Sequence, residues 1–263
     1  MQAKEIMKYL EKRFPQEYAE DFDFPKIGLI VGCDDFVVTN ILLSLDLSID
    51  VAKEAIKKQA NLIIVHHPFF FEPMHKVLLD TEQGAVLKLL LANDISAYAM
   101  HTNLDVGLGG VNDALAELLV IDHVQIDNGV VGKQNYLRFG TIKETTLFAL
   151  AQFVKSVFHL SGVKVLGNLQ ERITKIGVIG GSGAHQNDIE RAYANGCQVL
   201  ITGEVKLNNA QYAKYLGLHM IEVNHGIEKF VFYKLKKDLE KDLGLSDRVI
   251  VSTIETDPLQ IMG

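Results

Sequence analysis

Short runs rich in Val and Ile alternate with amphipathic stretches along the whole chain, and this rhythm restricts the fold more than any other feature. Uninterrupted apolar runs of four to eight residues fit strands buried on both faces, and such strands need helices to cover them. In the first half, 27–32 and 41–47 read as strands, 50–60 as a helix, and 62–65 as a strand running into His66. A helix over 81–91, a strand over 95–100 and a helix beginning at Asn112 follow. The pattern then restarts, with strands at 137–142, 163–166, 175–179, 199–202 and 219–223 and helices at 147–158, 188–194 and 207–216. A charged helix over 229–243 and a strand at 248–253 close the chain, and 1–14 carries helical spacing at the start. The expected fold is α/β, with two α/β lobes, 1–125 and 126–263, packed as one unit and bounded near 122–133.

Composition narrows what such a fold can bind. With 26 Lys+Arg against 33 Asp+Glu the formal net charge is −7, which argues against a nucleic-acid or anionic-membrane binder, since each needs a basic face. Two cysteines, Cys33 and Cys197, are too few for a disulfide framework or a thiolate zinc site, so any metal must use His and carboxylates. The first residues lack the build of a signal peptide, and no segment reaches the roughly 20 apolar residues that span a bilayer. A cytoplasmic protein is expected.

The residues that can carry chemistry sit just beyond strands. His66-His67-Pro68 follows the 62–65 run, at the strand end where open α/β sheets collect ligands. Neighbouring side chains on extended backbone point to opposite sides, and Pro68 favours that backbone at His67, so the pair suits two ions better than one. For an isolated His-His pair, a buried, hydrogen-bonded histidine beside a surface one is the commoner explanation. His101-Thr102-Asn103-Leu104-Asp105 follows the 95–100 strand, with Asp105 the better ligand, and its glycines at 107, 109 and 110 lead into a helix for which Asn112 is a possible cap. Asn224-His225-Gly226-Ile227-Glu228 follows the 219–223 strand, and a helical turn there would put His225 and Glu228 on one face. Gly180-Gly181-Ser182-Gly183, at a fourth strand end, is either a phosphate cradle or a close-packed turn.

Taken together, His66-His67-Pro68-Phe69-Phe70-Phe71, His101-Thr102-Asn103-Leu104-Asp105, Gly180-Gly181-Ser182-Gly183 and the His225/Glu228 pair resemble the NGG-one-interacting-factor-three-like family, whose members are also called GTP cyclohydrolase 1 type 2 homologues. The resemblance runs from about Phe22 to Glu228 and implies a dinuclear metal site between the two lobes and a homo-hexameric ring. It implies His66, His67, Asp105, His225 and Glu228 as ligands of two divalent ions, with His101 beside them as a proton-transfer or substrate-binding group. His and carboxylate donors suit Zn, Fe, Mn or Ni.

The chain departs from the family pattern in three places. His225 and Glu228 are three apart where the family spaces them by four, and Lys229 holds the usual position. An ammonium cannot ligate a cation, so Glu228 is the expected carboxylate, reached through a tighter turn for which Gly226 gives freedom. Glu204 and Asn208 replace a common Asp and His, and Phe22-Asp23-Phe24 stands near where the family has Trp-Asp-Asn. The expected function is metal-dependent hydrolysis of a nucleotide, phosphate ester or related small molecule. The alternative is a non-catalytic metal-binding or regulatory ring.

Overall fold

The structure, a computed structural model, describes residues 1–259 and divides into two compact units, Met1–Leu108 with Val231–Thr256, and Gly109–Phe230 with residues 257–259. Each combines a sheet with helices, the α/β class the alternating runs predict. The units are not the consecutive stretches 1–125 and 126–263, because the chain returns to its first sheet at the end.

That first sheet holds β1 (Gly28–Val31), β2 (Asn40–Ser44), β3 (Ala60–Val65), β4 (Ser96–Ala99) and β11 (Val249–Val251), in the order β1-β4-β3-β2-β11. β2, β3, β4 and β11 run parallel, and β1 pairs antiparallel with β4. Leu62, Ile63, Ile64 and Val65 are fully buried in the central strand, which accounts for the unbroken apolar run. Its helices are α1 (Ala3–Arg13), α2 (Ile49–Lys57), α3 (Glu82–Ala92), α4 (Thr102–Val106) and α9 (Val231–Leu243). Ser48 caps α2 by accepting from the Val51 amide at 3.2 Å, and Val51, Ala52 and Ala55 turn its apolar stripe into the core. β11 reaches β2 because α9 is tied down on both sides. Arg13 pairs with Asp238 at 2.5 Å, and Lys236 donates to the Val249 carbonyl at 2.6 Å.

The second sheet runs β5 (Asp122–Ile126), β6 (Arg138–Thr146), β8 (Arg172–Ile179), β9 (Val199–Thr202), β10 (His219–Glu222) and β7 (Lys164–Leu166) in spatial order. Its central trio β8, β9 and β10 is parallel and the outer pairings are antiparallel. Helices α5 (Val111–Leu118), α6 (Leu147–Val157), α7 (Gln186–Ala194) and α8 (Leu207–Leu216) belong to this unit. β5 lies inside the segment 122–133 expected to be the boundary between the lobes. It is an exposed edge strand, Asp-His-Val-Gln-Ile, with no buried face to produce a period-two signal. Among the described residues no helix is long and apolar enough to cross a membrane.

The largest fully buried side chain is a charged one, Arg138 on β6. Its Nε donates to Asp113 of α5 and its Nη1 donates to the Asn135 carbonyl at 2.9 Å. The other Asp113 oxygen accepts from the Gly109 amide at 2.6 Å, which fixes the chain at the entry to α5. Removing one member of a buried pair leaves the other charge uncompensated. Asp113→Ala should therefore cost about 3–5 kcal/mol, read from urea unfolding of the intact chain. A loss below about 1 kcal/mol would show that the carbonyl contacts alone sustain the guanidinium.

Candidate metal centre

His66 and His67 leave the end of β3 with their backbone already fixed. The His66 amide donates to the Leu45 carbonyl at 3.1 Å and the His67 amide to the same oxygen at 3.0 Å, just past the end of β2. Their rings are fixed as well. His66 Nδ1 donates to the Met100 carbonyl at 2.9 Å, and His67 Nδ1 donates to Asp46 at 2.6 Å. The Met100 carbonyl can only accept, so the proton sits on His66 Nδ1 and the Nε2 lone pair is the one presented.

Across from them stands the His101-Thr102-Asn103-Leu104-Asp105 segment, and each of its residues has a physical task. His101 Nδ1 donates to Asp23 at 2.8 Å, while the Thr102 amide and hydroxyl donate to the second Asp23 oxygen at 3.0 and 2.7 Å. Asn103 accepts from the His101 amide at 3.0 Å and donates to the Phe14 carbonyl at 2.8 Å. Leu104 is fully buried, and Asp105, 7% exposed, sits with Oδ1 3.4 Å from His66 Nε2. The segment coils into α4, a short helix where the sequence reads as a strand-end loop, and this turn brings Asp105 back toward His66.

One ring nitrogen from each of His66, His67 and His101 lies within 4.8 Å of the others, a separation at which they could share a metal ion. Each ring is aimed by an acceptor on its opposite nitrogen, the arrangement that fixes the tautomer of a ligating histidine. A neutral His66 also turns an acceptor nitrogen toward a carboxylate oxygen inside the protein, so a proton or a cation belongs between them. Donor set and support both fit a divalent metal. Motif spacing missed Asp46, and it placed Asp23 only within Phe22-Asp23-Phe24, with no role at the histidines. Burial alone would raise both carboxyls, but their hydrogen bonds to His67 and His101 hold them below the usual carboxylate range. A carboxylate at the end of the β2 run, the same end that carries His66 in β3, was the available signal for Asp46.

The second unit forms its own cluster. After β10 the chain enters a 3₁₀ turn, His225–Phe230, in which residues i and i+3 eclipse, so the three-residue spacing places His225 Nε2 3.3 Å from Glu228 Oε2. Glu228 is buried and Lys229 half-buried. His225 Nδ1 lies 3.3 Å from Glu204, whose other oxygen accepts from Ser182 Oγ at 2.6 Å. That hydroxyl, more than the nearby His225, holds the Glu204 carboxyl below its ordinary range. Asn208 is exposed and donates to Asn209 at 2.8 Å.

The glycine turn after β8 makes room for this cluster. A Cβ on Gly181 would lie 2.5 Å from Glu228 Oε1 and 3.1 Å from His225 Nε2, so the turn is close-packed against the carboxylate. Gly180 donates its amide to Asn112 at 2.7 Å. Asn112 is thus not the cap of α5, a place held by Gly110, and its side chain braces the glycine turn instead. Of the remaining histidines, His185 begins α7 and pairs with Asp188 at 3.4 Å.

An α/β protein with aimed histidines at the carboxyl ends of parallel strands is the class that fold and site define. The chain belongs to the Duf34/NIF3 (NGG1p interacting factor 3) family, whose model matches residues 1–258. It is 31% identical over 270 residues to a GTP cyclohydrolase 1 type 2 homolog of Clostridium perfringens, covering 100% of both chains. A hypothetical protein of Staphylococcus aureus superposes with a TM-score of 0.90 at 28% identity, over 100% of this chain and 99% of that one. Reduced HcgD from Methanocaldococcus jannaschii gives a TM-score of 0.80 at 30% identity, over 97% and 98%.

Two glycines separate backbone strain from crowding at the second cluster. Gly181 (φ +57) and Gly217 (φ +78) both hold left-handed backbone, but nothing lies within 4 Å of a Cβ on Gly217. Alanine should cost about 1–2 kcal/mol at Gly217, and more at Gly181, where the methyl group must also push its neighbours aside. Only Gly181→Ala should also displace the Glu228 carboxylate and weaken Zn binding, measured by titration with a competing chelator. Equal Zn affinity in the two variants would show that the carboxylate takes no part.

Proposed function

We propose that His66, His67, Asp105, His225 and Glu228 together hold two divalent metal ions, with His101 beside them. The chain uses the pair to hydrolyse a nucleotide, phosphate ester or related small molecule. The observation that carries this reading is the set of three imidazoles, each anchored through Nδ1 and each offering a nitrogen to a common locus. Bound there, a pair of divalent ions would supply Lewis-acid chemistry that activates water near neutral pH. The protein's own part is positional. The Met100 carbonyl and Asp46 keep His66 and His67 from turning, and Asp23 holds His101 where its ring can orient a substrate or carry a proton. The nucleotide class is further supported by the name of the Clostridium perfringens relative.

The same reading assembles the chain as a homo-hexameric ring. A second reading, a metal-binding or regulatory ring without catalysis, is favoured by Asn208, an exposed amide where the family commonly has a histidine, since an amide cannot act as an acid or base.

After reconstitution with Zn, Fe, Mn or Ni, elemental analysis should give two metal equivalents in the parent protein and in Lys229→Ala, and fewer in His66→Ala and Glu228→Ala. The loaded parent should hydrolyse members of a panel of phosphoesters and GTP that His66→Ala leaves intact. Full loading with no turnover on any of them would select the non-catalytic ring, and no bound metal would remove both readings. Light scattering should report six copies, and a stable monomer at micromolar concentration would exclude the ring.

A further inference from the structure

The tail that follows β11 is fastened at two places in the first unit. Glu54, on α2 and 8% exposed, is the first. Its Oε2 accepts from Ser252 Oγ at 2.5 Å, and its Oε1 accepts from the Thr253 amide at 3.2 Å and from Thr253 Oγ1 at 3.0 Å. The Ser252 amide also donates to the Leu43 carbonyl at 2.8 Å, which extends the pairing of β11 with β2. Asp46 is the second. Thr256 Oγ1 donates to its Oδ2, while its Oδ1 accepts from His67 Nδ1 at 2.6 Å.

Asp46 thus carries a donor on each oxygen, one from the histidine and one from a residue 210 positions further along the chain. A carboxylate held at one oxygen only can swing about its Cβ–Cγ bond, and its histidine turns with it. Held at both, it has one orientation. We infer that Thr256 is a positioning residue for His67: its hydroxyl locks the Asp46 carboxylate, the carboxylate locks the imidazole, and the Glu54 clasp keeps the tail in place for both. The C-terminal tail is in this sense part of the support of the metal centre. The inference rests on the reading of His67 as a ligand.

The test titrates the metal-stripped full-length protein with Co(II) and follows the visible ligand-field absorption, which reports the geometry of the ligands. Thr256→Val keeps the shape and removes the donor, and Thr256→Ser keeps the donor. Loss of a partner that orients a ligating histidine typically weakens metal binding 10–100-fold, and a residue one bond further out belongs at the low end. Thr256→Val should bind Co(II) about tenfold more weakly, with a shifted absorption band, and Thr256→Ser should restore both. A tether of purely structural value would leave the band unmoved. If His67→Ala weakens binding while Thr256→Val matches the parent in affinity and spectrum, the tail has no positioning role and the metal reading stands. If His67→Ala binds Co(II) like the parent, His67 is no ligand, and both the metal reading and the role of Thr256 fall.

Discussion

The parallel pairing of β3 between β2 and β4 is the constraint on which the rest of the first unit depends. Val65 pairs with Ser44 on one side and Ala99 on the other, so the three strands finish at one level. Asp46 leaves from that level just past β2, His66 and His67 just past β3, and Met100 and His101 just past β4. A register slip of one residue in β3 would interchange its two buried faces and carry His66 away from the Met100 carbonyl. Four fully buried aliphatic side chains fill the core on both faces of β3, so the slip would force both layers to repack. The hydrophobic core sets the register, and the register aims the imidazoles.

Support of the donors takes more residues than the donors themselves. Asp23 is fully buried yet kept ionised by hydrogen bonds from His101 and Thr102 that outweigh the cost of burial. Asp46 is held in the same way, with His67 on one oxygen and Thr256 on the other. Two carboxylates and one carbonyl thus decide which nitrogen of each ring is offered. In the second unit, glycine takes this part by absence. A methyl group at Gly181 would press on the Glu228 carboxylate, and the 3₁₀ turn brings Glu228 to His225 at a spacing of three residues.

Most elements of both sheets were legible in the sequence because their residues face a core, and burial writes a period or an unbroken run into a chain. The 207–216 helix and the 199–202 strand stand where the apolar pattern puts them. α4 and β5 were not legible for opposite reasons. α4 has all five residues buried and so shows no amphipathic contrast, while β5 is an edge strand with almost nothing buried. The candidate donors stood out through their chemistry, His and Asp placed just after apolar strands.

By itself the sequence determined the α/β class, the strand ends that carry His66, His67, His101, Asp105, His225 and Glu228, and that two cysteines are too few for a disulfide framework or a thiolate zinc site. Local patterns suffice for these, because each depends on residues a few positions apart. The tertiary structure alone decided that β11 returns to β2, that Asn112 braces a glycine turn 68 residues away, and that Asp23, Asp46 and Thr256 stand behind the histidines. Hydrogen bonds between residues so distant in the chain leave no period in it. They form only once core packing has fixed which strands lie side by side.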